Sequence, residues 1–383
     1  MKQSVISRNR FLIILGCFLL VGLTVLGGSY SAPPPPPPAQ LTPDGQFAFV
    51  SNNGSSDVSI YTVNSNGSLQ PAGTVPAGSG PQGIAVGPAM QPSPYAISGQ
   101  PVYVVNENNN SVGIYTVNPS SGQLTPVGTV DTGGNPQAVA IDNSGHMAIV
   151  ANTGSNTATV YAVSPTNGNL TPMQTVPTGQ NPTAVTINDM NNQVYVANSG
   201  SSNISVYSMD MSSGTVNPVG TVSMPPGAGP PSSIDVLPSG NVAVATSPST
   251  NNMSVFLVPQ NPAVPLIPLA AIPAGNGPTS IDIGPDGVAA VTLTGGSGKQ
   301  PLGLVALFQI SRTGTVTPRG IALTQGSGPA GVAFDPKGFF HVTNSQSNTI
   351  SSFAVMPGSG AMFLGTRPTG RSPKGVALAL RRN

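Results

Sequence analysis

Few side chains in this sequence could do chemistry, so their types and spacing bound what it can be asked to do. The 383 residues include 12 Lys and Arg, 11 Asp and Glu, 2 His, 1 Cys and no Trp. Glu107, in "VYVVNENNNSV", is the only glutamate. A lone carboxylate between two β-like runs can take a proton from water as a general base, or can be a solvated loop residue. Asp235 in "SSIDV" and Asp282 in "TSIDI" stand at one register of two successive repeats. Two such carboxylates can hold a hard divalent cation or divide acid and base roles between them; alternatively they bond to water or backbone. No cofactor is expected; a divalent cation is the one for which the sequence offers a place, with Asp235 and Asp282 as its ligands.

Other chemistries are excluded. His146 and His341 lie far apart in the repeat, and neither has a Cys or a second His nearby, which argues against zinc or copper. Neither sits where a nucleophile and an acid could complete a triad. "TGGSGKQ", residues 294–300, is glycine-rich but lacks the spacing of a phosphate-binding loop.

A repeat places these residues. One mark is a proline followed by a short apolar run, at Pro81, Pro136, Pro182, Pro231, Pro278, Pro329 and Pro373. The other is a β run that usually ends in Asn, as in "FAFVSN", "VYVVN", "MAIVAN", "VYVAN" and "FHVTN". The two marks alternate, which predicts units of four strands. The third strand, for example "SVGIYTV" at 111–117, is apolar on both faces, so neighbouring units must cover each sheet on both sides. The fourth strand carries Pro71, Pro126, Pro172, Pro218, Pro268 or Pro318, which belongs on an edge because proline lacks the ladder N–H. The first strand, after the repeat proline, bears small residues such as Gly83, Ala85, Ala138 and Ala140, as strands converging on an axis require.

The predicted fold is thus all-β, a seven-bladed β-propeller over residues 41–383. The first unit lacks a first strand, and the terminal "PKGVALAL" is a first strand without the rest, so the last strand is expected to pair with the N-terminal blade and close the ring. Alternating strand direction sorts the loops onto two faces. The mouth of the channel should carry the residues after each repeat proline, including Gln82, Gln137 and Lys374, together with the loop that holds Asn106 and Glu107. These form a candidate ligand-binding lining of amides and hydroxyls.

Upstream of the repeat, Lys2, Arg8 and Arg10 precede an uncharged apolar run, Phe11–Gly28. Residues 1–31 therefore read as a signal peptide or an N-terminal membrane anchor. Residues 32–40, with six prolines at 33–38, read as a polyproline spacer of roughly 20 Å. Either reading puts the body outside the cytoplasm, secreted or anchored, and touching the membrane only through that segment. Cys17 lies within the run, so the body has no cysteine and must hold together by packing. The body has no basic stripe and no Trp, which excludes nucleic acid. The expected partner is a small ligand, a glycan or a protein at the channel mouth, bound by a monomer.

"VYVVN" and "VYVAN" resemble the YVTN repeats of envelope proteins, and the whole of residues 41–383 resembles the seven-bladed lactonase-like propellers. Members similar to 6-phosphogluconolactonase carry Gly-Pro-Arg-His at the opening of one first strand and Asn-Glu on the following loop. Here "GSGPQGIAV" precedes "VYVVNENNN", so Asn106 and Glu107 match while Gln82 and Gly83 stand in place of Arg and His. The resemblance implies Glu107 as a catalytic residue of a divergent sugar-acid lactonase. The missing Arg and His favour a non-catalytic binding or envelope-interaction module that uses the same mouth.

Overall fold

A computed structural model of the chain describes residues 46–90, 99–295, 302–358 and 360–379. The leader, the proline spacer, Cys17, Lys299 and the turn at 42–45 lie outside the described residues. Among the described residues twenty-eight strands form seven four-stranded antiparallel sheets. Blade 2 shows the plan: innermost Pro81–Val86, then Pro101–Asn106 and Ser111–Val117, then outermost Leu124–Asp131. Blades 3 to 7 follow with innermost strands at Pro136–Ile141, Pro182–Asn188, Ser233–Val236, Pro278–Ile283 and Pro329–Phe334. Blade 1 is assembled from both ends of the chain. Gln46–Asn52 pairs with Pro373–Ala379, setting Phe47 opposite Ala379 and Val50 opposite Val376. Among the described residues every strand of the ring lies between residues 46 and 379, and Gln40–Asn383 is a compact unit in itself. Among the described residues no helix is long and apolar enough to cross a membrane.

The core lies between blades rather than within them. Phe47, Phe49, Val58 and Ile60 of blade 1 pack on Val102, Val104, Tyr115 and Val117 of blade 2, and equivalent clusters recur around the ring. This is why the second and third strands are apolar on both faces. Burial of such side chains contributes roughly 1.5–3 kcal/mol each. At the axis the innermost strands approach closely. A Cβ on Gly331 would stand 2.4 Å from Lys374 O, and one on Gly83 would stand 2.8 Å from Gln137 O. Glycine at these positions is a requirement of the spacing.

Polar side chains repeat as precisely placed staples. The Asn that ends the second strand donates from Nδ2 across the next turn, as Asn52 does to Asp57 Oδ1 (2.6 Å) and Ser59 Oγ (2.9 Å). Asn152, Asn198 and Asn344 repeat this at the same spacing. Four residues after each such position the chain turns left-handed, at Ser56, Asn110, Asn156, Ser202, Asn251 and Asn348. Asn and Ser tolerate that conformation better than bulkier residues do. Several of these side chains then accept from the loop that enters the next blade, as Asn110 Oδ1 does from Asn135 N (2.8 Å).

A second staple joins blades at the rim. Tyr61, Tyr115, Tyr161 and Tyr207 of the third strands donate to carbonyls at the end of the preceding blade's outermost strand: Pro368, Pro76, Asp131 and Pro177. Blades 5, 6 and 7 carry Phe256, Phe308 and Phe353 at the same register. Replacing Tyr161 with Phe should therefore keep the fold, since three blades already use phenylalanine there. It should cost about 1 kcal/mol for the lost hydrogen bond to the Asp131 carbonyl, read from denaturant unfolding.

Candidate functional site at the channel mouth

The seven innermost strands surround a cavity of about 360 Å³ at one end of the channel. In most blades the innermost strand begins with a bulge, such as the register shift between Pro81 and Ile84 or between Pro329 and Val332. The bulge turns the residue after each proline to the mouth and leaves backbone groups without ladder partners. Hydroxyls from the second strands take up these groups. Thr343 Oγ1 accepts from Gly331 N (2.8 Å) and donates to Lys374 O (2.8 Å), while Ser51 Oγ accepts from Gly375 N (3.0 Å) and donates to Gln82 O. Thr183, Ser232 and Thr279, which also line the mouth, spend their hydroxyls on the next blade's backbone. The lining side chains with reach are Gln82, Gln137 and Lys374, and Lys374 is the cation among the described residues of this lining.

Glu107 opens a single turn of 3-10 helix, Glu107–Asn109, between the second and third strands of blade 2. Its N–H bonds Gly80 O (2.9 Å), and Asn108 N bonds Ser79 O (3.2 Å), so the turn is fixed to the loop entering its own blade. The carboxylate accepts a hydrogen bond from Gln82 Nε2. Four other blades place a short hydroxyl at this position. Ser199, Thr294 and Ser345 bond back to carbonyls of the loop entering their own blade, and Thr153 bonds Pro182 O of the next blade. Glu107 is long enough to pass them and reach a residue of the mouth lining. It is half-buried and stands one hydrogen bond behind the cavity wall. A carboxylate only accepts, so this bond also sets the orientation of the Gln82 amide.

Asn106, expected beside Glu107 at the mouth, is completely buried under Gly78 instead. It occupies the register of the stapling Asn, whose side chain points into the blade. Its partner position is Gly113 rather than the Ser or Thr of other blades, and neither of its amide atoms has a partner. The missing staple is visible in sequence once the repeat is aligned, because residue 113 lacks a hydroxyl.

Asp235 and Asp282 lie on adjacent innermost strands deeper in the channel. Asp235 Oδ2 accepts from Ile283 N (2.8 Å), and its Oδ1 accepts weakly from Thr186 Oγ1 (3.4 Å). Asp282 Oδ2 accepts from Phe334 N (2.6 Å). Each carboxylate thus clips its blade to the next, with one oxygen committed to an N–H donor. Among the described residues no group of three or more His, Cys, Asp or Glu stands close enough to share a metal. The pair alone does not supply the six to eight oxygens that calcium takes. Both keep some access to the channel but are surrounded by protein. Burial pushes Asp282 up to about 6 and Asp235 well above the usual carboxylate range, with repulsion from Asp282 adding to the latter.

His146 is exposed on the opposite face, with Nδ1 against Ser144 Oγ (2.7 Å). His341 is fully buried on the blade 7 side that faces blade 1, with Nδ1 against Ser352 Oγ (2.9 Å) and Nε2 without a partner. Burial lowers its pKa to about 3, so it is neutral at ordinary pH.

A family model for lactonases with a seven-bladed β-propeller matches residues 36–229, just over half of the chain. The chain belongs to that lactonase propeller family. Among curated proteins none matches the sequence. Solved structures that resemble it include a putative 6-phosphogluconolactonase from Bacteroides uniformis (TM-score 0.73, 17% identity, covering 88% of this chain and 100% of that one). A Lactobacillus plantarum protein aligns with TM-score 0.72 and 18% identity over 88% of this chain and 99% of that one. A periplasmic gluconolactonase from Pseudomonas aeruginosa aligns with TM-score 0.70 and 20% identity over 88% and 100%. At these identities the likeness shows a common fold. Against the family pattern, the lactonase-like Asn-Glu pair divides: Glu107 contacts the mouth lining and Asn106 is sealed beneath it.

The buried titrating groups have opposite signs. His341 has a folded pKa below its unfolded value, so unfolding takes up a proton below about pH 6.5 and stability falls as pH drops toward 3. Asp282 has a folded pKa above its unfolded value, so its neutral form favours the fold below about pH 4, and that contribution is lost as pH rises through about 6. Urea unfolding at pH 7 and pH 5 separates them. His341→Gln should remove an acid-side loss of about 2 kcal/mol over that interval. Asp282→Asn should remove the opposing gain and leave the protein more sensitive to acid than its parent.

Proposed function

We propose that the protein hydrolyses a sugar-acid lactone at the channel mouth, with Glu107 as general base. The observation that carries this is the Glu107 carboxylate held against Gln82 of the mouth lining, in a chain of the lactonase propeller family. Hydrolysis requires a base that removes a proton from the attacking water and donors that receive the charge developing on the lactone carbonyl oxygen. Glu107 is half-buried and retains access to water. The amides of Gln82 and Gln137 and the ammonium of Lys374 are the side-chain donors with reach in the mouth lining. The alkoxide released on ring opening recovers the proton from Glu107. One lining cation suits a neutral lactone and its monocarboxylate product better than a phosphorylated one, for which an Arg or Lys cluster is the usual arrangement. An unphosphorylated sugar acid also agrees with the export expected from the N-terminal segment. The gluconolactonase and 6-phosphogluconolactonase names of structural neighbours fall in this substrate class.

A second reading has its own support. Gln82 and Gly83 occupy the positions at which the family motif has Arg and His, and a Gln82 amide fixed by Glu107 is a good recognition group for sugar hydroxyls. On that reading the mouth binds a sugar-like ligand, a glycan or a protein loop without turning it over.

Residues 40–383 assayed against six-membered aldonolactones, with and without a 6-phosphate, test both. We expect turnover that prefers the unphosphorylated lactone and falls by about 10²–10⁴ in Glu107→Gln. Lys374→Met should raise KM more than it lowers kcat. Equal rates for the parent and Glu107→Gln would remove Glu107 from the chemistry. Saturable calorimetric binding with no turnover would leave the recognition reading in place.

A further inference from the structure

Six of the seven outermost strands repeat one protective device, and the seventh lacks it. In blades 1 to 6 the aromatic residue of the third strand pairs with a proline: Tyr61 with Pro71, Tyr115 with Pro126, Tyr161 with Pro172, Tyr207 with Pro218, Phe256 with Pro268 and Phe308 with Pro318. A register that tolerates proline in six blades is one whose N–H faces away from the ladder. Proline there leaves no donor for an incoming strand, which guards the edge. In blade 7 the aromatic Phe353 pairs with Phe363 instead. Its outermost strand, Ala361–Pro368, therefore presents an outward N–H at the centre of the edge. The bulge that follows this register occurs in the other blades too and does not distinguish this one.

Two further features coincide with that edge. Met362 and Phe363 are exposed, at 48% and 41%. Arg367 lies near the C-terminal end of the strand and Arg319 on the outermost strand of blade 6, and both bond only neutral acceptors. Arg319 reaches Gln309 Oε1 (3.0 Å) and Met356 O (2.8 Å), and Arg367 reaches Leu69 O (2.8 Å) and Thr366 O (2.9 Å). No Lys or Arg occurs between residues 11 and 298, so the outermost strands of blades 1 to 5 carry no cation. Asp335 of blade 7 is buried and accepts from amides of its own turn.

We propose that the outermost strand of blade 7 accepts an extended polypeptide segment bearing apolar and acidic residues as a fifth strand of that blade. Main-chain hydrogen bonds supply affinity in such strand addition, and side chains supply selectivity. Met362 and Phe363 offer the apolar contact, and Arg319 and Arg367 favour acidic residues toward the segment's ends. A second copy of this chain fits less well. Antiparallel self-pairing would bring Arg367 of one copy to the Met362 end of the other, where Arg319 stands, setting like charges together.

The test uses residues 40–383 and a fluorescein-labelled peptide of alternating valine and glutamate, read by anisotropy. Binding should be saturable and weaken by at least about tenfold in Phe363→Pro, which removes the outward donor at a register where six blades already carry proline. Phe363→Ala, which keeps the N–H, should retain most of the affinity, and a peptide with lysine for glutamate should not bind. Amide exchange across residues 361–368 of the parent should slow when the peptide is bound, a readout that does not depend on any variant folding. The proposal is overturned by absence of binding at millimolar peptide, by parent-like binding in Phe363→Pro, or by equal binding of the lysine peptide. It is also overturned by concentration-dependent dimerisation that Phe363→Pro abolishes, which would make a second copy the occupant.

Discussion

The pairing of Phe47–Val50 with Val376–Ala379 is the interaction on which the rest of the architecture depends. It joins residues more than three hundred positions apart and turns seven sheets, each with two apolar faces, into a ring in which every face has a neighbour. Without it, the Ala48, Val50 and Tyr61 face of blade 1 and the Ile350 face of blade 7 would be left to water. Closure also fixes how tightly the innermost strands converge. Gly83, Gly331 and Gly375 meet backbone of the next blade at distances that leave no room for a side chain. The mouth is the consequence: proline and a bulge turn one residue per blade inward, and the ring sets those residues side by side.

Rigidity at the mouth comes from short polar side chains rather than from charge. Stapling Asn residues hold the turns, left-handed Asn residues accept from the next blade's entry loop, and Thr and Ser hydroxyls cover the backbone groups that bulges leave open. This accounts for a chain that is rich in Asn, Ser and Thr and only 6% charged. A loop framework of this kind holds one longer side chain in a defined place. Glu107 is that side chain in blade 2, and its Gln82 contact follows from the turn being fixed to Ser79 and Gly80.

The few charges are sorted by what surrounds them. Asp142 spends both oxygens on its own turn, and Asp335 accepts through Oδ1 from two amides of its turn while its buried Oδ2 has no partner. Asp235 and Asp282 reach across to the next blade and accept from its backbone, as ladder-like bonds between strands that do not otherwise pair. The neutral His341 fills the blade 7 side of the closing interface, where a proton would be costly to accommodate.

Sequence alone determined the architecture because strand periodicity, repeat prolines and turn residues are local, and seven copies reinforce one another. It identified the blade count, the closing strand and the outer-edge prolines, and it put the residues after each repeat proline at the mouth. It placed Glu107 on the correct turn but could not say what the carboxylate touches. It grouped Asn106 with the mouth, although the stapling register buries that side chain and Gly113 deprives it of partners. It offered Asp235 and Asp282 as a cation or acid-base pair or as groups bonded to water or backbone, and could not say that one oxygen of each accepts from an amide of the following blade, 48 and 52 residues away. These outcomes rest on contacts between atoms of neighbouring blades. The repeat specifies that blades adjoin, but only the closed ring decides which donor meets which acceptor across the gap.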